Sequence, residues 1–228
     1  MLLQHAFEQR GIKLRIAIHT AEGAPMATAG PEMGQYIKEE LALRAIGFHA
    51  QRVTARVDGT AQRVVFEDGS EVRYDLLIAV PPHEAPSVVR EAGLTGPSGW
   101  IPVEPRTLRV TAQPEIDAIY AVGDVTAVAL PGRYKPDAAL SLPKAGVFAA
   151  AHGRVAAQQI AASILGHDAD DAFDGVGFCY LETGGSRAVK ADGSFFALPH
   201  PVMQKRIPDE VQWRDKLDWV ARQLRPLR

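Results

Sequence analysis

Two short segments carry the residue types that hold a ligand. In Ile119-Tyr120-Ala121-Val122-Gly123-Asp124-Val125 an apolar strand pattern, read as a buried strand, ends in a glycine and then a carboxylate. Ligands of open α/β sheets bind at the carboxyl ends of strands. The glycine lets a backbone approach with no Cβ in the way, and the carboxylate can accept hydrogen bonds from a ribose or polyol hydroxyl. The same pattern also serves as an ordinary Asp-containing turn. The second segment, Leu142-Pro143-Lys144-Ala145-Gly146-Val147-Phe148-Ala149-Ala150-Ala151, places a proline and a lysine at a helix start. Unpaired N–H groups there favour an electron-rich group. Ala145, Gly146, Ala149, Ala150, Ala151, Gly153, Ala156 and Ala157 keep this helix slim. That suits either a flat ligand or close packing on a sheet.

Other chemistries find little support. Cys179 is the only cysteine, which excludes an internal disulfide and a C-x-x-C zinc or redox pair within the chain. Between Phe178 and Tyr180 it reads as a small buried hydrophobe, with a redox thiol as the alternative. The seven histidines show no metal-ligand spacing of the H-x-x-x-H kind, and neither G-x-S-x-G nor a P-loop occurs. Twenty-five basic against 27 acidic side chains leave a net charge of −2. Binding to phosphate backbones needs a basic excess or stripe, so nucleic acid is not an expected partner. No apolar run reaches the roughly 18 residues of a membrane span. Met1 to Glu8 lacks the basic start and cleavage site of a signal peptide. The expected location is cytoplasmic, with peripheral membrane contact as the alternative.

The elements that must position these segments follow from periodicity. A helix over Leu2 to Arg10 stops at Gly11. A strand pattern covers Lys13 to Thr20, and Pro31 and Gly47 bracket a helix whose Met33, Ile37 and Leu41 share a face. Phe48 to Val57 reads as one strand and Arg63 to Phe66 as another. Asp68-Gly69 turns the chain back into Glu71 to Tyr74. Asp75 to Val80 is a continuous apolar run, the pattern of a strand buried on both faces, ended by Pro81 and Pro82. A small helix over Ala85 to Glu91 and a short strand at Trp100 to Val103 precede the first chemical segment. The slim helix runs to about Leu165 with Gly166 as its stop. Strands follow near Gly177 to Glu182 and Arg187 to Val189, then a helix from about Pro208 to Leu224.

Taken together, these segments resemble a known family. Tyr120-Ala121-Val122-Gly123-Asp124 is similar to the second FAD-binding motif of two-dinucleotide-domain flavoproteins. Tyr74 through His83, Gly99-Trp100-Ile101-Pro102-Val103, Pro143-Lys144-Ala145-Gly146 and Gly177-Phe178-Cys179-Tyr180-Leu181-Glu182 resemble the sulfide:quinone oxidoreductase and flavocytochrome c sulfide dehydrogenase group. The resemblance implies an α/β, FAD/NAD(P)-binding flavoprotein fold. It also implies an FAD-dependent oxidoreductase passing electrons from a small-molecule donor, such as NAD(P)H or sulfide, to an acceptor such as a quinone. Asp124 and Gly123 would meet the ribityl chain of FAD. Pro143, Lys144, Ala145 and Gly146 would lie beside the isoalloxazine, Lys144 adding positive charge or facing an acceptor. Pro81 and Pro82 would mark the return into the FAD domain.

Two features depart from that pattern. No G-x-G-x-x-G occurs anywhere, although that turn binds the ADP half of a dinucleotide. The chain is therefore expected to be the C-terminal part of a longer, N-terminally incomplete flavoprotein, inactive by itself. The alternative is a non-catalytic remnant or subunit that keeps the fold without FAD. Ala139-Leu140-Ser141-Leu142 also lacks the redox cysteine that the group places before the Pro-Lys turn. The expected domains are 1–80, a partial nicotinamide-type domain, 81–172, the C-terminal half of the FAD domain, and 173–228, a terminal strand and helix region. In the last helix Val211, Trp213, Leu217, Val220 and Leu224 form an apolar stripe flanked by Arg214, Lys216, Arg222, Arg225 and Arg228. It is expected to dock on its own domain, with weak membrane-surface contact as the alternative.

Overall fold

A computed structural model of the chain describes residues 1–113, 115 and 119–225; Arg228 lies outside them. The chain divides into two compact units. One comprises Met1–Pro81, Cys179–Ala191 and Lys205–Arg228, the other Pro82–Phe178 and Asp192–Gln204.

The first unit begins with α1 (Leu2–Glu8), β1 (Ala17–His19), α2 (Pro31–Ala42) and β2 (Gly47–His49). β1 and β2 pair in parallel, Ile18 opposite Phe48. α2 starts at Pro31 and buries Met33, Ile37 and Leu41 as the spacing predicts. β3 (Thr54–Asp58), β4 (Arg63–Phe66) and β5 (Glu71–Arg73) form an antiparallel meander. The Asp68 carboxylate fixes its second turn by accepting from the Ser70 N–H at 2.9 Å.

Three expectations change here. The strand pattern of 13–20 pairs only over Ala17–His19. The strand expected over 48–57 is two strands, because Gln51 takes a positive φ of 55°. Its N–H and that of Arg52 turn to the carbonyls of Glu22 and Thr20. The apolar run 75–80 is neither buried nor a strand, with Leu76 at 74% and Val80 at 79% exposure. No strand among the described residues pairs with it. Burial on both faces requires neighbouring strands, and hydrophobic composition alone does not provide them.

The second unit holds α3 (Ser87–Glu91), β6 (Ile101–Pro102), β7 (Thr126–Ala127) and α4 (Gly146–Leu165). β6 and β7 pair in parallel. Its core gathers Ile101, Val103, Leu108, Val110, Ala121 and Val128 with Leu142, Phe148, Val155, Phe173 and Phe195. Phe148 meets Phe173 and Phe195 edge-on, with ring centroids 6.1 and 5.2 Å apart. This approach needs Gly177, where a Cβ would stand 2.2 Å from Phe148 Cε1. The segment before Gly123 is less regular than expected. Tyr120 makes a single antiparallel bridge with Arg109, and Ala121 is buried while Val122 is 40% exposed. A ladder this short cannot bury both faces.

The remaining elements are β8 (Val176–Gly184), β9 (Arg187–Ser194), β10 (Val202–Lys205) and α5 (Glu210–Gln223), the strands ordered β10-β9-β8. Asp209 caps α5 by accepting from the Gln212 N–H at 2.7 Å, a favourable N-cap pairing. α5 packs within its unit through polar residues. Asp215 accepts from Tyr180 at 2.7 Å and Lys190 at 2.9 Å, and Lys216 pairs with Glu182 at 2.9 Å. Val211, Leu217 and Leu224 of the expected apolar stripe stay exposed, while Trp213 and Val220 are half-buried. Docking thus uses a different face from the one hydrophobicity suggests, because β8 and β9 offer charged and phenolic partners. Among the described residues no helix is long and apolar enough to cross a membrane.

Candidate functional site

The site grows from the way the chain leaves Ala121. The Ala121 N–H bonds to the carbonyl of Leu108, itself fully buried, which anchors the extended approach in the core. Gly123–Val125 then forms a 3₁₀ turn. Gly123 takes φ +70°, and a Cβ there would stand 3.2 Å from the Ala149 Cβ. Both the backbone angle and the close approach of α4 therefore call for glycine. Thr126 Oγ1 closes the turn by donating to the Gly123 carbonyl at 2.7 Å.

The second segment is held against the first. The Leu142 N–H and the Ser141 hydroxyl both donate to the Val128 carbonyl, at 2.9 and 3.1 Å. This fixes the run into Pro143-Lys144-Ala145. Helix α4 begins at Gly146 with Ala145 as N-cap, so Pro143 precedes the helix instead of occupying its first turn. The extended φ and ψ of Ala145 delay the start. The Gly146 and Val147 N–H groups have no acceptor among the described residues, as expected of a first helical turn.

Lys144 folds back over the turn. Its Nζ donates to the Asp124 and Thr126 carbonyls, the latter at 3.1 Å, and stands 3.6 Å from the Trp100 ring centroid. Burial lowers its pKa, and the Asp124 charge partly opposes that. The Asp124 side chain is exposed, and its carboxylate accepts no hydrogen bond from the described residues.

His152, one turn beyond Phe148 on α4, completes the arrangement. It is 1% exposed. Its Nδ1 accepts from the Gly123 N–H at 3.2 Å, which assigns the ring proton to Nε2. Phe173 packs edge-on against the ring, centroids 4.5 Å apart. Burial pushes the imidazole pKa down to about 4, against a smaller opposing effect of Asp124. The ring is therefore neutral near pH 7, and Nε2 has no partner among the described residues. No motif in the sequence marks His152. The available signal was a polar residue inside the buried stripe of Phe148, Val155 and Ala156.

Gly123, Asp124, Pro143, Lys144 and Ala145 line one small cavity together with Thr126, Leu142, Phe148, Ala149 and His152. Its volume, about 10 Å³, suits about one water. A larger ligand would lie along the exposed rim, meeting a carboxylate acceptor on the turn and N–H donors at the helix start. Gly146 is the first residue of that helix. Pro81 and Pro82 are exposed and straddle the division between the units. Cys179 lies half-buried within β8 and is not among the residues lining the cavity.

The sequence model of the family described as pyridine nucleotide-disulphide oxidoreductase matches residues 3–154. Among solved structures, the fold is similar to the sulfide:quinone oxidoreductase of the hyperthermophilic bacterium Aquifex aeolicus. That match has 19% identity and a TM-score of 0.77, covering 96% of this chain and 51% of that one. A chain of the Tetrahymena thermophila mitochondrial ATP synthase matches at 18% identity and a TM-score of 0.66, covering 87% of this chain and 47% of that one. The NAD-dependent persulfide reductase of A. fulgidus matches at 16% identity and a TM-score of 0.53, covering 83% of this chain and 33% of that one. The chain thus spans about half the length of the first two and a third of the last.

Proposed function

The chain belongs to the pyridine nucleotide-disulphide oxidoreductase family, and from that premise we propose that it is the part of an FAD-dependent oxidoreductase that holds the ribityl and isoalloxazine end of the cofactor. The observation that carries this reading is the Gly123–Asp124 turn lying against the start of α4, 3.2 Å from His152. The donor set fits that end of FAD. The Asp124 carboxylate, which has no partner among the described residues, would accept from ribityl hydroxyls. The Gly146 and Val147 N–H groups, with the positive end of a 20-residue helix behind them, would face the electron-rich edge of the ring. Lys144 would hold the turn through its carbonyls and contribute positive charge nearby. Leu142 and Phe148 would keep water from the inner side. Bound there, FAD would supply two-electron redox chemistry, which the protein positions and tunes.

In this reading a small-molecule donor of the NAD(P)H or sulfide class reduces the cofactor, and an acceptor such as a quinone reoxidises it. Two structural neighbours, a sulfide:quinone oxidoreductase and an NAD-dependent persulfide reductase, support those classes. Cys179 remains the candidate thiol for sulfide chemistry, although it does not line the cavity. The exposed Val211 and Leu217 of α5, with Leu224 just past its end, are the surface that would meet a quinone-bearing membrane. One neighbour of this fold is a chain of an ATP synthase assembly, and with the missing G-x-G-x-x-G this favours a second reading, a flavin-free subunit. Anaerobic mixing of FAD-loaded protein with NADH, NADPH or sulfide separates the two. The proposal expects bleaching of flavin absorbance with at least one donor. Protein that takes up no FAD supports the second reading.

A further inference from the structure

On the reading that the Gly123–Asp124 turn holds flavin, we propose that His152 is a positioning residue, its Nδ1 fixing the Gly123 amide from within α4 so that the turn presents the Asp124 carboxylate outward. Three observations converge on it. The ring accepts the Gly123 N–H at 3.2 Å. It is 1% exposed, on a stripe where Phe148, Val155 and Ala156 are also buried. A leucine there would continue the stripe with no polar atom to satisfy, whereas histidine leaves Nε2 without a partner among the described residues. Burying such an atom opposes folding, so packing does not explain the choice. The hydrogen bond to Gly123 does.

The ring is also held in one orientation. Phe173 packs edge-on against it, and Phe173 is itself buried and edge-on to Phe196 at 5.5 Å. A chain of fixed groups therefore runs from the aromatic core through His152 to the Gly123 amide. Gly123, with φ +70°, has a wide range of accessible backbone angles. The histidine removes that freedom at the residue preceding the carboxylate.

The test compares wild type with His152→Leu and His152→Asn, since an asparagine carbonyl can replace Nδ1 as acceptor. Hydrogen exchange and the ¹⁵N shift of the Gly123 amide report the bond, and fluorescence titration with FAD reports the site. In the Leu variant the Gly123 amide should lose protection and the FAD dissociation constant should rise about tenfold. The Asn variant should recover both. Equal FAD affinity in wild type and the Leu variant, or an Asn variant no better than Leu, overturns the proposal. Should the Leu variant not fold, the ¹⁵N ring shifts of wild-type His152 decide: Nδ1 must be the unprotonated nitrogen, and a proton on Nδ1 overturns the proposal. If wild-type protein binds no FAD, the flavin reading fails instead, and the amide and ring measurements still show whether His152 sets the turn.

Discussion

Lys144 places its ammonium 3.6 Å from the centroid of Trp100 while donating to the carbonyls of Asp124 and Thr126. One side chain thus joins the segment before α4 to the turn before β7 and to the Gly99-Trp100 segment. The sequence left Lys144 a choice between a ligand-facing charge and a solvated lysine. Its Nζ is instead engaged with backbone and ring, which makes it first a clamp.

Lys144→Met should therefore loosen the turn. Loss of a charged donor to two carbonyls and of a cation–π contact at a partly exposed site is expected to cost about 1–2 kcal/mol of stability. Urea unfolding of the two proteins measures it. Under the flavin reading, the midpoint potential of bound FAD should also fall in the variant, because a positive neighbour is lost. An unchanged potential in a stable, loaded variant would leave Lys144 as a clamp alone.

Gly123→Ala should be costlier than a surface Gly→Ala change. The φ of +70° disfavours any Cβ, and the added methyl would press on Ala149 at 3.2 Å. A loss of roughly 1–3 kcal/mol is expected, read as a drop in the urea midpoint. A neutral result would mean that the turn relaxes freely and does not set the site.

Stability should depend on pH through His152. Its folded pKa lies at about 4, below the ordinary 6.5, so the unfolded chain binds the extra proton first as pH falls. The contribution is complete above pH 6.5 and is lost progressively down to about 4. It amounts to on the order of 3 kcal/mol. Across that range the unfolding free energy of wild type should fall relative to that of His152→Asn, which has no titrating ring. Parallel curves would show that the imidazole titrates normally.

Much of the local structure was legible in the sequence, for physical reasons that differ by element. Asp68-Gly69 and the Pro31 start of α2 are short-range signals, and the chain obeys them; the far end differs, since α2 stops at Ala42 and Gly47 opens β2. Gly123 was legible because a left-handed turn pressed against a helix requires glycine wherever the rest of the chain goes. Leu76, Ile78 and Val80 misled because burial depends on neighbouring strands, which the apolar run does not encode. α5 was read from its hydrophobic stripe, yet it docks through Asp215 and Lys216 because Tyr180, Lys190 and Glu182 face it. His152 escaped notice because one polar residue in a helical stripe acquires meaning only when Gly123, far along the chain, arrives beside it.

A Cys179 substitution tests whether the thiol takes part in reduction by one donor class. It lies half-buried on β8, outside the cavity lining, so Cys179→Ser should leave FAD affinity and any reduction by NAD(P)H unchanged. Anaerobic stopped-flow absorbance compares the donors. Loss of sulfide-dependent reduction alone would give the thiol a chemical role.

Whether Asp124 faces a bound flavin is decided by FAD titration of wild type against Asp124→Asn. The side chain is exposed and accepts no hydrogen bond from the described residues, so the substitution should leave urea stability nearly unchanged. Wild type is expected to bind FAD saturably but weakly, since no G-x-G-x-x-G is present to hold the ADP half. Loss of the carboxylate should weaken that binding about tenfold, the worth of a charge-assisted hydrogen bond. Equal affinity in the two proteins, or no saturable binding in either, would contradict the account.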